Sequence, residues 1–532
     1  MNKILRVSFF VALCAFVTVV TGNEGFAAGN DAAKLPNLAE QRDVKLISMT
    51  HVYDLNPHTA SYTSEAQVLS GLYEGLFSYD PVTLEPRNAL CVSYKISRTK
   101  KRWTFTLREG ACFSTGEPIT ANTVRDSWLK LLATPNAPYS SLLDCIEGAR
   151  NFRTGKGIKE DVGISVRNDR TLVVHLEEPA EHLPRILCHH AFSIVGSKPN
   201  SFSGAFTLKS YKSNTIVLAK NPKYYDAASV IIPGITITLS DDLEENAYQF
   251  NTGNADWITE GNALASKIIN SDAIHVAAEF GTYYLFFKIG DSVWSNTEFR
   301  TALLEAIPYD SLRKNITVPA TTLVYPLPDY PSVPGIDDYD SDDAIALMNK
   351  AREHAGIPYD KKLTLTFAIT ETDFMKELAE KLKTAWEPLG VNLVVETAPL
   401  EKYNSSIPSW KADLFSYSWI GDFADPLAFL ELFRSDSSLN VAKYNNKTFD
   451  EYLLSACRAD TSEEHYSYLS KAEKLLLDES VIIPIYHPIS MHLIDLTSVG
   501  GWQTNALDLH PFKYLYIKTK TSTLPNLVKL NR

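Results

Sequence analysis

Leu363-Thr-Leu-Thr-Phe-Ala-Ile369, a helical stretch from about Asp373 to Pro388, and Val391-Asn-Leu-Val-Val-Glu396 follow one another without a break. The first and third segments alternate apolar and polar residues, the period of a strand. Strand, helix and strand at this length predict a βαβ unit, whose two strands must run parallel. That unit points to α/β construction. Upstream, Phe299, Ala302, Leu303 and Ala306 lie at helical spacing. A second helix is expected with Ser341 as its cap, Ala344, Leu347, Met348 and Ala351 facing inward, and Gly356 at its end.

Away from that unit the same two periods recur. Trp103-Thr-Phe-Thr-Leu-Arg108 alternates strictly, so Trp103, Phe105 and Leu107 share one buried face. Thr120 is a good cap for a helix with Val124 and Trp128 on one stripe. Thr461 and Glu464 form a capping-box pattern before Tyr466, Leu469, Ala472 and Leu476. Tyr325–Asp343, rich in Pro and Asp, reads as a loop, and no fixed-period repeat is visible.

The chain has 532 residues and a formal net charge of -12. The length predicts about three domains or lobes. The negative charge argues against a nucleic-acid partner, which requires clustered Lys and Arg, and against docking on anionic lipid. Lys3 and Arg6 precede an apolar run, Val7–Val20, that is shorter than the ~20 residues needed to span a bilayer. Small residues follow from Gly22 to Gly29. Residues 1–27 therefore read as a secretory signal peptide. The alternative is a lipoprotein signal at Cys14, against which the bulky Leu13 counts. Loss of Cys14 leaves an odd number of cysteines: Cys91, Cys112, Cys145, Cys188 and Cys457. Export permits disulfides, so one bridge within Cys91–Cys188 is expected, its partners left open. There is no C-x-x-C.

Enzyme signatures are missing from the sequence. It contains no H-E-x-x-H and no G-x-S-x-G. His189 and His190 are adjacent, and adjacent residues do not share a face. Gly148 and Gly155 are spaced too widely for a phosphate loop, and Gly157 stands where a magnesium-binding hydroxyl belongs. Asp241-Asp242 and Glu244-Glu245 read as turn or helix-cap charges. No catalytic, metal or cofactor residues are expected.

Ser416-Tyr-Ser-Trp-Ile-Gly-Asp-Phe-Ala-Asp-Pro426 starts as an aromatic strand and ends in two acids. A carboxylate beside Trp419 and Phe423 is costly without a positive partner, and Lys411 and Arg434 are the nearest in sequence. Either Asp422 or Asp425 can cap a helix. The functional alternative is that Asp422 waits for a cation brought by a ligand.

Six collinear motifs carry a family resemblance over about residues 44–518. They are Leu55-Asn-Pro-His58 with Val68-Leu-Ser-Gly-Leu-Tyr-Glu-Gly-Leu-Phe77; Trp103 through Ala121; Lys220-Asn-Pro-Lys-Tyr-Tyr225; Phe299-Arg-Thr-Ala-Leu303; Ala472-Glu-Lys474; and Ile483-Pro-Ile-Tyr486. The chain resembles the periplasmic oligopeptide-binding proteins, the three-lobed branch of the solute-binding proteins of ABC transporters. The resemblance implies a periplasmic-binding-protein-like α/β fold. Two hinged lobes, I and III, hold the ligand cleft between them, and an extra lobe II widens it. Lobe I would comprise 34–77, 199–280 and 490–520, lobe II 78–198 and lobe III 281–489, with 521–532 as a tail.

The resemblance also implies a role for Asp422, which would hold the α-ammonium of a short peptide. Backbone pairing would come from Ser418, Trp419 and Ile420 on one side, and from Ser61, Tyr62 and Thr63 with Tyr486 and His487 on the other. Pro488 removes one donor there. Trp419 and Tyr139 would be pocket walls or ordinary core. Ser416, Ile407 and Met375 stand where relatives can carry cations for the peptide's carboxylate, which implies a ligand whose C-terminus reaches solvent, or an unusual cell-wall peptide. The implied protein is a periplasmic monomer, with short peptides and separate membrane permease subunits as partners. Competing readings are a nickel, haem or sugar carrier on the same fold, an extracytoplasmic peptidase, and a chaperone for unfolded chains.

Overall fold

In the computed structural model, which describes residues 38–519 apart from Glu181, Pro328, Asp422 and Ser438, three sheets organise the chain. The signal-peptide reading, Cys14 and the proposed tail lie outside the described residues. The βαβ unit forms as expected. Leu363–Thr370 pairs in parallel with Val391–Ala398, from Leu363 against Val391 to Thr370 against Ala398. The intervening helix, Asp373–Trp386, buries Met375, Leu378, Ala379, Leu382 and Trp386 on one stripe. It ends slightly before Pro388, in a 3-10 turn closed by Gly390 at φ +72°. The five-stranded sheet around it runs Val391–Ala398, Leu363–Thr370, Leu414–Ile420, Gly281–Phe287, Ile482–Tyr486.

A seven-stranded sheet gathers distant parts of the chain: Ile274–Ala278, Ile489–Ile494, Trp257–Ile258, Val44–Ser48, Gly234–Leu239, Thr215–Lys220 and Phe206–Lys212, in that order. Val44–Ser48 is its parallel centre, flanked by Gly234–Leu239 and Trp257–Ile258. The third sheet is antiparallel: Cys91–Ile96, Arg102–Leu107, Thr171–His175, Ile164–Asn168. Its Trp103, Phe105 and Leu107 are buried as the alternation predicts, and Val124 and Trp128 of helix Ala121–Ala133 cover them. That apolar cluster continues without interruption to Trp419, Phe429 and Leu469 on the five-stranded side.

Two short crossings join the large sheets. The chain leaves the seven-stranded sheet at Ala278 and starts the five-stranded sheet at Gly281; it returns from Tyr486 to Ile489. The crossings touch, because the Glu279 amide donates to the Pro488 carbonyl at 3.0 Å.

Two expectations are corrected. Asp340, not Ser341, caps helix Ser341–His354, accepting from the amides of Asp342 and Asp343 at 3.0 Å. A carboxylate takes two N–H groups and complements the helix dipole better than one hydroxyl. No disulfide forms within Cys91–Cys188: all five described cysteines are free. Their thiols lie on separate elements and turn to backbone carbonyls, Cys91 to Ser93 at 3.2 Å and Cys188 to Pro184 at 3.3 Å. The Asp242 reading holds, since its carboxylate accepts from the Glu245 amide.

Candidate functional site

Strand Leu414–Ile420 carries its aromatic residues to the edge of a cavity. It pairs antiparallel with Gly281–Phe287, Trp419 opposite Thr282. The Trp419 indole donates to the Ala428 carbonyl at 3.0 Å and stacks on Tyr417, while Ser418 stays exposed. Past Ile420 the chain needs glycine: a Cβ at Gly421 would lie 2.5 Å from the Phe280 ring. The Gly421 amide also donates to the Phe280 carbonyl at 2.7 Å, which ties this strand end to the first crossing.

Of the two acids that follow, Asp422 lies outside the described residues. Asp425 takes the structural role. It is buried, accepts from the Leu427 amide at 2.9 Å at the start of helix Leu427–Leu430, and meets His465 at 3.0 Å and Arg185 at 3.9 Å. Burial acts to raise the Asp425 pKa, but the His465 bond outweighs it and holds the carboxyl below its usual range.

On the other side, Ser61 and Tyr62 precede helix Thr63–Leu72. The buried Glu65 carboxylate accepts from both of their amides at 3.1 Å and from the Asp54 amide at 2.7 Å. Those two N–H groups are therefore engaged, and the Tyr62 carbonyl accepts from Ala66. The Ser61 carbonyl is what the backbone of this segment leaves for an extended ligand.

A cavity of about 400 Å³ opens between these elements. It brings together Ser61, Tyr62, Thr63, Tyr139, Ser418, Trp419 and Ile420, with Gly421 at its wall. Tyr486 and His487 do not line it. Tyr486 stacks on Tyr283, centroids 4.8 Å apart. His487 is buried in the second crossing, where its Nδ1–H donates to the Gly281 carbonyl at 2.9 Å and its amide to Val318. The cation-less positions are all buried. Ser416 bonds the Tyr403 hydroxyl, Met375 receives the Tyr283 hydroxyl, and Ile407 packs in the core.

Several lining groups escaped the sequence reading. His189 and His190 line the cavity beside Tyr139, and burial pushes both imidazoles down, His190 to about 4, so both are neutral. Glu74 and Lys513 line it as a buried ion pair at 2.9 Å. Glu74 was visible as a lone acid within the apolar stretch Val68–Phe77; nothing local marked Lys513.

Among the described residues one cluster has metal-ligand composition, His492, Asp508 and His510, with ligand atoms within 4.8 Å of one another. Its hydrogen bonds oppose a metal. Trp257 Nε1–H donates to His492 Nδ1 at 3.1 Å, so His492 Nε2 carries the proton and gives it to Asp508 at 2.7 Å. At His492 neither nitrogen is left for a cation, while His510 gives its Nδ1–H to the Gln503 carbonyl and turns Nε2 to Asp508 at 3.3 Å.

Comparison with known proteins agrees with this architecture. The Dipeptide-binding protein DppE of Bacillus subtilis is 27% identical over 485 residues, 85% of this chain and 87% of the relative. The Periplasmic oligopeptide-binding protein OppA of Salmonella typhimurium is 28% identical over 527 residues, 92% and 96% of the two chains. In fold, the Escherichia coli murein tripeptide binding protein MppA superposes with a TM-score of 0.79 at 23% identity, covering 90% of this chain and 99% of that one. The Haemophilus influenzae OppA complex with RPPGFSPFR gives 0.78 at 21%, covering 90% and 100%. The periplasmic-binding-protein-like α/β fold is thus the observed one. Residues 85–440 match the bacterial extracellular solute-binding proteins, family 5 (Middle), whose members bind solutes and catalyse no reaction. On that match, the chain belongs to the family 5 extracellular solute-binding proteins.

Proposed function

We propose that this protein captures short peptides in extended form outside the cytoplasm and delivers them to the membrane subunits of an ABC-type importer. The observation that carries this reading is the cavity between Ser418–Gly421 and Ser61–Thr63. Pairing with Leu363–Thr370 stops at Phe415, so one side of the strand at Ser418 has no ladder partner and can add a peptide strand, and backbone pairing reads no side chains. Relatives named for dipeptides and oligopeptides along most of the chain support the same cargo.

In sequence Asp422 follows Gly421, a cavity-lining residue, and it is the acid we assign to the peptide's α-ammonium. Asp425 cannot serve, because His465 and the Leu427 amide already use it. A charge-assisted bond there contributes roughly 1.5–3 kcal/mol, about 10- to 100-fold in affinity. The burial of Ser416, Met375 and Ile407 supports a carboxy terminus that none of these residues grips. Lobes I, II and III, at the boundaries given above, would correspond to the seven-, four- and five-stranded sheets. Lobes I and III would close about the crossings at 278–281 and 486–489. The signal-like start supports export, and among the described residues no helix is long and apolar enough to cross a membrane.

Calorimetry tests the reading. Tri-alanine should bind, and N-acetylation of the peptide or Asp422→Asn should each weaken it by about 10- to 100-fold. Amidation of the C-terminus should matter little. Failure of di- to hexapeptides to bind, or indifference to acetylation, would overturn the assignment. Native mass spectrometry of the purified protein would reveal a nickel, haem or other cargo instead.

A further inference from the structure

The cavity's described lining contains only two charged side chains, Glu74 and Lys513. The Lys513 ammonium meets the Glu74 oxygens at 2.9 and 3.2 Å and reaches Ser78 Oγ only at 3.4 Å. An ammonium has three N–H donors, and the Ser78 contact is too long to satisfy the third well. Glu74 also accepts from the Tyr224 hydroxyl, so its charge is shared between two donors. Tyr224 packs on Tyr225, and the Arg108 guanidinium lies 4.4 Å over the Tyr225 ring. Within the cavity lining the Lys513–Glu74 pair is balanced one to one, and Arg108 stays outside it, bonded to the Ala89 carbonyl. Burial acts to lower the Lys513 pKa, but Glu74 outweighs it and holds the ammonium above the usual lysine range. The same cavity is lined by apolar Phe77, Leu507 and Pro511 as well as by Ser70 and Ser78.

A cavity-lining ammonium whose third N–H donor is poorly used suits an acidic group on a short stem. We propose that Lys513 forms a second, carboxylate-binding subsite of this cleft, which takes the side chain of a glutamate in the bound peptide. The inference rests on the peptide reading above and adds to it a preference for acidic peptides. Ligand binding replaces the long Ser78 contact with a charge-assisted hydrogen bond and leaves the Glu74 pair in place.

Calorimetry on the purified full chain tests this with alanine tripeptides carrying Glu, Met or Lys at each position in turn, each with a free and an amidated C-terminus. At one position Glu should bind at least about tenfold more tightly than Met, and Lys more weakly than Met. The Glu-to-Met ratio should fall to within about twofold in the double variant Glu74→Gln/Lys513→Met, in which Gln still accepts from Tyr224. Should that variant fail to fold, Ser78→Asp provides an independent check: its carboxylate takes the donor that now reaches Ser78 Oγ at 3.4 Å and should also erase the ratio. Binding of tripeptides without a Glu preference, or a preference that survives in the folded variants, overturns the subsite and leaves the peptide reading standing. A gain that follows the free C-terminus instead of any glutamate overturns the side-chain assignment. If no tripeptide binds, both readings fall together.

Discussion

Where the short helix Ala149–Arg153 meets residues 431–436, Asp144 is enclosed by guanidinium groups; in the first crossing between the large sheets, Glu279 is equally hidden but pairs with no cation among the described residues. Arg153 holds Asp144 through both oxygens, at 2.7 and 2.6 Å, while Arg434 and Arg150 reach it at 3.1 and 3.3 Å. Arg150 continues to Asp436 at 2.6 Å, so charges from both parts of the seam interlock. Around Glu279 the neighbouring charges are acids, Asp508 and Glu260, the former hydrogen-bonded to His492 and His510. Burial, reinforced by these acids, pushes the Glu279 carboxyl up to about 8. Depth alone therefore does not determine a buried acid's state. The seam surrounds its acid with arginines, whereas the crossing stays neutral by keeping a proton.

The largest effect should come from the seam. Asp144→Asn leaves Arg153 and Arg434 facing each other without their shared anion, and breaking a buried pair in this way costs about 3–5 kcal/mol. Urea denaturation measures it. A loss below about 1 kcal/mol would mean that the arginines simply turn to water, and the contrast with Glu279 would disappear.

The next effect concerns Glu279 and depends on pH. Its folded-state pKa lies above the ordinary 4.5, so folding retains a proton that the unfolded chain releases. Stability should fall as pH rises from 4.5 to about 8 and change little beyond. Glu279→Gln keeps the shape and removes the titration. At about pH 9 the variant should be more stable than the parent by up to about 4–5 kcal/mol, and at about pH 5 nearly equal to it. Thermal melts across that range check this. Parallel curves for the two proteins would show that Glu279 ionises freely.

The contrast also explains what could be read from the sequence. The βαβ unit and the Trp103 strand were legible because their periods of two and 3.6 are local, with all the evidence inside one stretch of chain. The seven-stranded sheet was not, because Val44–Ser48 finds its partners at Gly234–Leu239 and Trp257–Ile258 and no local pattern encodes such pairing. At the site, Ser61–Thr63 and Ser418–Ile420 were found through motifs, and they do share a cavity. Tyr486 and His487 came from the same motifs but belong to the crossing, where His487 bonds Gly281. Lys513 was illegible for the plainest reason: it meets Glu74 across 439 residues of chain. Ion pairs of this kind, Asp144 with Arg434 included, leave no periodic trace.

Asp425 falls between the two extremes and gives the smallest, sharpest test. Its main partner, His465, is a cation only when protonated. Burial works to lower the His465 pKa, yet the bond to Asp425 wins and raises it above the ordinary 6.5. The sign follows from the two shifts. The histidine's contribution is fully present below 6.5 and is lost as pH climbs through its raised folded value. The aspartate's is present above 3.8 and is lost as pH falls through its lowered one. The pair therefore stabilises most between about pH 4 and 6.5. His465→Gln should cost about 1 kcal/mol in that window, less than the loss of Asp144, because Asp425 keeps the Leu427 amide and Arg185. The cost should shrink towards alkaline pH, the range in which Glu279→Gln gains most. Denaturation of the two single variants and their double at about pH 5.5 and pH 9 separates the effects, which should add because no hydrogen bond among the described residues joins the two sites. A pH-independent cost for His465→Gln would mean that the imidazole acts as a neutral donor, leaving Asp425 closer to Glu279 than to Asp144.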